Sequence, residues 1–143
     1  KMLYEDITDK EIYKSLENVY LLDFVNQVGL DYIVGNDGNK LSGGQKHRLQ
    51  LAICLAKQKD IILLDEPTAG LDIKTTNNIC GQLMEKYQKQ TMIVTSHDIS
   101  LLRFFDDIII CGEEKIIEQG NIKNLLLRED SYLNKLIRYK NFI

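Results

Sequence analysis

The stretch Leu41-Ser42-Gly43-Gly44-Gln45 joins a hydroxyl, two consecutive glycines and the start of a helix-forming run. Consecutive glycines let backbone N–H groups come close to an anion, and a helix start adds the positive end of its dipole. The pentapeptide is therefore suited to a phosphate, and equally to plain capping of the helix that follows. Asp65 and Glu66 end the apolar run Ile61-Ile62-Leu63-Leu64. In parallel α/β sheets, ligands bind outside the carboxyl ends of the strands. One carboxylate there can hold Mg²⁺ through its waters, and its neighbour can polarise an attacking water as general base. Two acids at a strand exit are also a common feature without chemistry. His97 and Asp98 leave the next apolar run at the same edge. Asp72, seven residues after Asp65, sits in a loop that can reach that edge and also suits the N-cap of the following helix.

These residues need elements to hold them. Residues 1–34 read as helical. Glu11 to Leu22 carries Ile12, Leu16, Val19 and Tyr20 on one helical face, with Thr8 or Asp9 as cap. A second short helix covers Leu22–Val28 and stops at Gly29. A turn-rich stretch, Gly35 to Lys40, precedes the Ser-Gly-Gly turn. A helix then runs from about Gln45 to Lys57, and its second half, Leu49 to Ala56, is apolar on nearly every side and expected to be mostly buried. Ile61–Leu64 reads as a central parallel strand covered on both faces. A helix over Lys74–Gln88, a strand Thr91–Thr95, a short helix near Ile99–Phe104, strands Asp107–Cys111 and Lys115–Glu118 with a turn at Gly112, and two amphipathic helices follow. Strands alternating with helices imply a layered α/β fold with a largely parallel sheet.

At 143 residues, 44% hydrophobic and 27% charged, the composition is that of one compact domain with a real core. A net charge of −3 and no clustered basic face argue against nucleic acid as partner. The longest apolar run, Leu51 to Ala56, falls far short of the roughly 18 to 20 residues that span a bilayer. The three cysteines, Cys54, Cys80 and Cys111, lack a C-x-x-C pair and read as reduced core or near-core thiols.

Taken in order, Leu41–Gln45, the four apolar residues before Asp65-Glu66-Pro67, Ala69-Gly70-Leu71-Asp72 and Ser96-His97-Asp98 resemble the nucleotide-binding domain of ABC proteins. The motifs match that family's signature, Walker B strand, D-loop and switch histidine, over nearly the whole chain. The resemblance implies an α/β, incomplete P-loop NTPase-type layered domain with an N-terminal helical subdomain. Residues 1–58 form that subdomain with the signature helix, and residues 59–143 the C-terminal part of the ATPase core. It implies ATP and Mg²⁺ as cofactors. Ser42, Gly43, Gly44 and Gln45 would bind the γ-phosphate of an ATP held by an opposing ATPase domain in a head-to-tail dimer. Asp65 would support Mg²⁺, Glu66 would act as general base, Asp72 would couple the two sites, and His97 would contact the γ-phosphate. A membrane domain would be the other partner, which puts the chain at the cytoplasmic face of a membrane.

Asp9–Glu17, Phe24-Val25, Val34-Gly35 and Gly38 resemble exporters whose ATPase is fused to a membrane domain, as do Glu118-Gln119-Gly120, Leu125-Leu126 and Ser131-Tyr132-Leu133. Asn36, His47 and Ile53 stand where such exporters usually carry glutamate, glutamine and arginine, and Thr68–Asp72 is closer to importer-type subunits. An importer-type or soluble ATPase and a non-catalytic interaction module are the alternatives. A Walker A loop would read G-x-x-x-x-G-K-[ST], yet none of the nine glycines is followed by lysine. The expectation is a chain that offers the signature face to a partner's ATP but lacks the loop to hold its own.

Overall fold

The computed structural model describes residues 7–140, so residues 1–6 of the expected helical stretch lie outside the described residues. Two compact units divide between His97 and Asp98. The first contains α1 (Asp9–Asn18), α2 (Leu22–Val28), a 3-10 turn at Asn36–Gly38, α3 (Gly43–Ala56), β1 (Ile61–Asp65), α4 (Ile73–Lys86) and β2 (Thr91–Thr95).

Local chemistry sets the helix ends. Thr8 caps α1 in a reciprocal box: its hydroxyl accepts from the Glu11 amide at 3.3 Å, and Glu11 Oε2 accepts from the Thr8 amide at 2.8 Å. The helix therefore begins two residues earlier than the apolar pattern suggests. It ends at Asn18, because Tyr20 takes a left-handed φ of 55° and turns the chain into α2. Residues 29–34 are not helical, which corrects the reading of a helical run to residue 34. Gly29, at φ 82°, is the breaker, as its lack of a Cβ allows.

One apolar core holds the unit together. Leu16, Val19, Leu21 and Val25 from α1, α2 and their joint meet Leu51, Ala52 and Leu55 of α3, Ile62 and Leu64 of β1, and Ile79 and Leu83 of α4. Within it Asn18 is fully buried and donates through Nδ2 to the Tyr87 hydroxyl at 3.1 Å. On α3 the buried stripe is Leu51, Ala52, Leu55 and Ala56, which is one face, and Ile53 on the other side is 47% exposed. The expectation of near-complete burial over Leu49–Ala56 therefore fails at that residue.

β1 and β2 pair in parallel from Ile61↔Thr91 to Asp65↔Thr95. Burial alternates along β1: Ile62 and Leu64 enter the core, while Ile61 and Leu63 are 62% and 68% exposed. Ile93, which pairs with Leu63, is exposed as well. The strand is thus covered on one face instead of two. Among the described residues this sheet has two strands, so each strand pairs along one edge only. An apolar run of four residues cannot distinguish a strand covered on one face from one covered on both.

The second unit has a 3-10 segment (Ile99–Phe104), β3 (Asp107–Gly112), β4 (Lys115–Asn121), α5 (Ile122–Leu126) and α6 (Tyr132–Lys140). β3 and β4 form an antiparallel hairpin with an irregularity between Ile110 and Cys111. Its two-residue turn is Glu113-Glu114, both at positive φ, so the turn lies one step beyond the expected Gly112. The sheet content is therefore one parallel and one antiparallel pair, less parallel than the alternation of elements implies. Ile110, Ile122, Leu125 and Leu133 form this unit's core. The Glu118 carboxylate caps the start of α6 by accepting from the Leu133 amide at 2.9 Å. Cys80 is buried, Cys54 half-buried and Cys111 exposed, so the last of these departs from the core reading.

Leu55 is 1% exposed and joins α3 to the shared core. Leu55→Ala should destabilise the first unit by about 2–5 kcal/mol, from lost burial plus the cavity left behind. Urea unfolding followed by circular dichroism measures it, and a loss under about 1 kcal/mol would show that α3 is not fixed by this packing.

Candidate functional site at the ends of the parallel strands

The last pair of the parallel ladder, Asp65↔Thr95, places three predicted residues within reach of one another. Asp65 Oδ1 accepts a hydrogen bond from the Thr95 hydroxyl. Glu66 then leaves the ladder with a left-handed φ of 44°. Its amide donates to both the Thr95 carbonyl and the Thr95 hydroxyl at 3.2 Å. The turn brings Glu66 Oε1 to 2.7 Å from His97 Nδ1. An ionised carboxylate only accepts, so Nδ1 carries the proton in this contact. The His97 side chain is 84% exposed and that of Glu66 35%, so the pair lies open to a ligand from solvent.

Asp72 takes the capping role open to it. It is the N-cap of α4, with Oδ1 accepting from the Thr75 amide at 2.9 Å and Oδ2 from the Thr75 hydroxyl at 2.6 Å. The Thr75 hydroxyl, and after it the Thr75 amide, hold the Asp72 carboxyl below its ordinary value. Both oxygens of Asp72 are thus engaged at the start of α4 and do not bond to Asp65 or Glu66.

The Ser-Gly-Gly turn forms the start of α3. Ser42 caps it in a second reciprocal box: its hydroxyl accepts from the Gln45 amide at 3.2 Å, and Gln45 Oε1 accepts from the Ser42 amide at 2.9 Å. A Cβ added at Gly43 would meet nothing within 4 Å, so that side of the helix start is open. At Gly44 a Cβ would stand 3.4 Å from Leu71 Cδ2, so the signature turn and the Ala69–Asp72 loop approach closely there. Arg48 secures the same turn, donating to the Gly44 carbonyl at 3.2 Å and to the Tyr20 carbonyl at 2.7 Å.

Thr95 and Arg48 were not among the residues that sequence reasoning picked out. Arg48 has no local signal, because its partner Tyr20 lies 28 positions away. Thr95 could have been found from strand register alone: two parallel strands of five residues, aligned end to end, put it opposite Asp65.

The Asp72 contact has a measurable pH consequence. A carboxyl held low in the folded state adds stability above its unfolded value and loses it as pH falls through the folded value. Thr75→Ala, which deletes the leading hydrogen bond, should move the Asp72 titration back up towards the ordinary aspartate range. Carboxyl ¹³C NMR titration of the two proteins tests this, and superimposable curves would rule out the hydroxyl as cause.

The sequence model of the ABC transporter family matches residues 2–69. The ATP-dependent lipid A-core flippase of Nitrosococcus oceani is 35% identical over 131 residues, which is 90% of this chain and 22% of the flippase. The glutathione/L-cysteine transport system ATP-binding/permease protein CydC of Haemophilus influenzae is 33% identical over 135 residues, 93% of this chain and 23% of CydC. The chain thus spans between a fifth and a quarter of the length of these relatives. A solved bacterial Atm1-family ABC exporter with ATP bound superposes with a TM-score of 0.84 at 29% identity, covering 95% of this chain and 24% of that one. Over nine-tenths of its residues the chain is thus similar in sequence and backbone to ABC exporter proteins, and residues 2–69 match the ABC transporter family itself.

Proposed function

We propose that the chain supplies the signature and Walker B part of an ATPase that couples ATP hydrolysis to export across a membrane. The observation that carries this reading is the 2.7 Å contact between Glu66 and His97 at the carboxyl ends of two parallel strands, beside Asp65. Glu66 is the general base that takes a proton from the hydrolytic water. His97 orients the Glu66 carboxylate through Nδ1 and would contact the γ-phosphate. Phosphoryl transfer depends mostly on such positioning and charge stabilisation, with little covalent chemistry from the protein.

The donor set suits Mg²⁺ brought in with a nucleotide. Among the described residues no group of three or more His, Cys, Asp or Glu side chains could hold a metal. Mg²⁺ keeps several waters and takes one or two carboxylates plus phosphate oxygens, so Asp65 alone is an adequate protein contribution. Bound there, the ion would neutralise phosphate charge. The chain's own part is to fix Asp65 at the last ladder position and to keep Glu66 next to it.

Ser42, Gly43 and Gly44 offer a hydroxyl and open helix-start amides to a γ-phosphate held by an opposing ATPase domain, and Gln45 keeps that turn in shape. The relatives' names, an ATP-dependent flippase and an ATP-binding/permease protein, support a membrane domain as the second partner and the cytoplasmic face as the location. Among the described residues no helix is long and apolar enough to cross a membrane. Domain boundaries follow the same reading: residues 1–58 as the helical subdomain and 59–143 as ATPase core.

No glycine in the chain precedes a lysine, so the chain has no P-loop lysine and amide nest to clamp a triphosphate. By itself it should hydrolyse ATP no faster than buffer. Placed in the matching 22% of the Nitrosococcus oceani flippase, it should restore Mg-ATP turnover, and Glu66→Gln should cut that turnover by about 100-fold or more. Phosphate release from purified protein measures both. Turnover by the chain alone that Glu66→Gln removes would overturn its need for a partner. An assembled, nucleotide-binding chimera whose turnover survives Glu66→Gln would overturn the role of Glu66.

A further inference from the structure

We infer that Thr95 is the positioning residue of this site: its hydroxyl passes a hydrogen bond from the Glu66 amide to the Asp65 carboxylate and so fixes where Glu66 leaves the sheet. Three observations meet at this side chain. The parallel register sets Thr95 opposite Asp65 at the final ladder position. Thr95 Oγ1 donates to Asp65 Oδ1. The same oxygen accepts from the Glu66 amide at 3.2 Å, a bond shared with the Thr95 carbonyl.

Hydroxyl chemistry makes the direction of this relay unambiguous. A threonine hydroxyl has one proton and two lone pairs, an ionised carboxylate has no proton, and an amide only donates. The proton must therefore point to Asp65, and a lone pair must meet Glu66. Each bond polarises the other in the same sense. Glu66 needs this hold because its φ of 44° is one that side chains beyond glycine rarely adopt. That turn is also what aims its carboxylate at His97, two residues after Thr95. Thr95 thus secures Glu66 from behind while the chain beyond it delivers the histidine. The functional weight of the relay rests on Glu66 being the acting carboxylate, as proposed above, whereas the geometry can be tested without nucleotide.

The test compares the whole chain with Thr95→Ser and Thr95→Val. Serine keeps the donor and the lone pairs, whereas valine keeps the shape and loses both. Because Thr95 is exposed, neither change should move the urea midpoint. NMR reads two local signals: hydrogen exchange at the Glu66 amide, and the cross-peak between the Glu66 side chain and the His97 ring. The native protein and Thr95→Ser should show the cross-peak and slow exchange. In Thr95→Val exchange should quicken about three- to tenfold, as expected for one lost hydrogen bond, and the cross-peak should vanish. A valine variant that keeps both signals overturns the inference. So does a serine variant that loses them, or a loss in either that merely follows a drop in the urea midpoint. Intact signals together with a dead exporter chimera would count against the ATPase reading alone.

Discussion

The pairing of β1 with β2 is the constraint on which the rest depends. Five residues of each strand align end to end, and that register alone decides that Asp65 faces Thr95. A slip of one residue would turn every side chain of the shifted strand to the opposite face. The register is held from one side only, by Ile62 and Leu64 entering the core with Leu51 and Leu55 of α3 and Ile79 and Leu83 of α4. The geometry at the strand ends is thus anchored in ordinary apolar packing within the same strand.

Both helices that flank the site begin with a side-chain cap, and in both the cap is a residue to which the family resemblance assigns a role. Ser42 and Gln45 complete a reciprocal box at α3, and Asp72 uses both oxygens at α4. Capping contributes on the order of 1 kcal/mol each. In the proposed roles, stability and ligand binding would draw on the same atoms, and a ligand that recruits Ser42 would share a hydroxyl whose lone pair already serves the Gln45 amide. The two helix starts adjoin each other at Gly44, where an added Cβ would lie in van der Waals contact with Leu71 of the Ala69–Asp72 loop.

Much of this was legible in the sequence because the signals are local. Thr8 with Glu11 and Ser42 with Gln45 are three apart, the spacing of a capping box, and Asp72 precedes Thr75 in the same way. The Ile61–Asp65 and Thr91–Thr95 strands also emerge where their apolar runs lie. What escaped is what depends on a distant partner. The exposure of Ile53 and Leu63 depends on which faces other elements cover, and helix or strand periodicity cannot report that. Thr95 and Arg48 act on residues 30 and 28 positions away, so no window of the sequence contains both ends of either contact.

The left-handed turn at Glu66 sets two physical demands against each other, an unstrained backbone and a carboxylate at the strand end. A glycine there would adopt the same φ without penalty, and holding a larger residue in that region costs of order 1–2 kcal/mol. Random substitution filtered only for folding would drift towards glycine at this position and discard the carboxylate. On the role proposed for Glu66, that conformational cost is the counterpart of keeping a carboxylate at the strand end, in the manner of an enzyme's stability–activity trade-off.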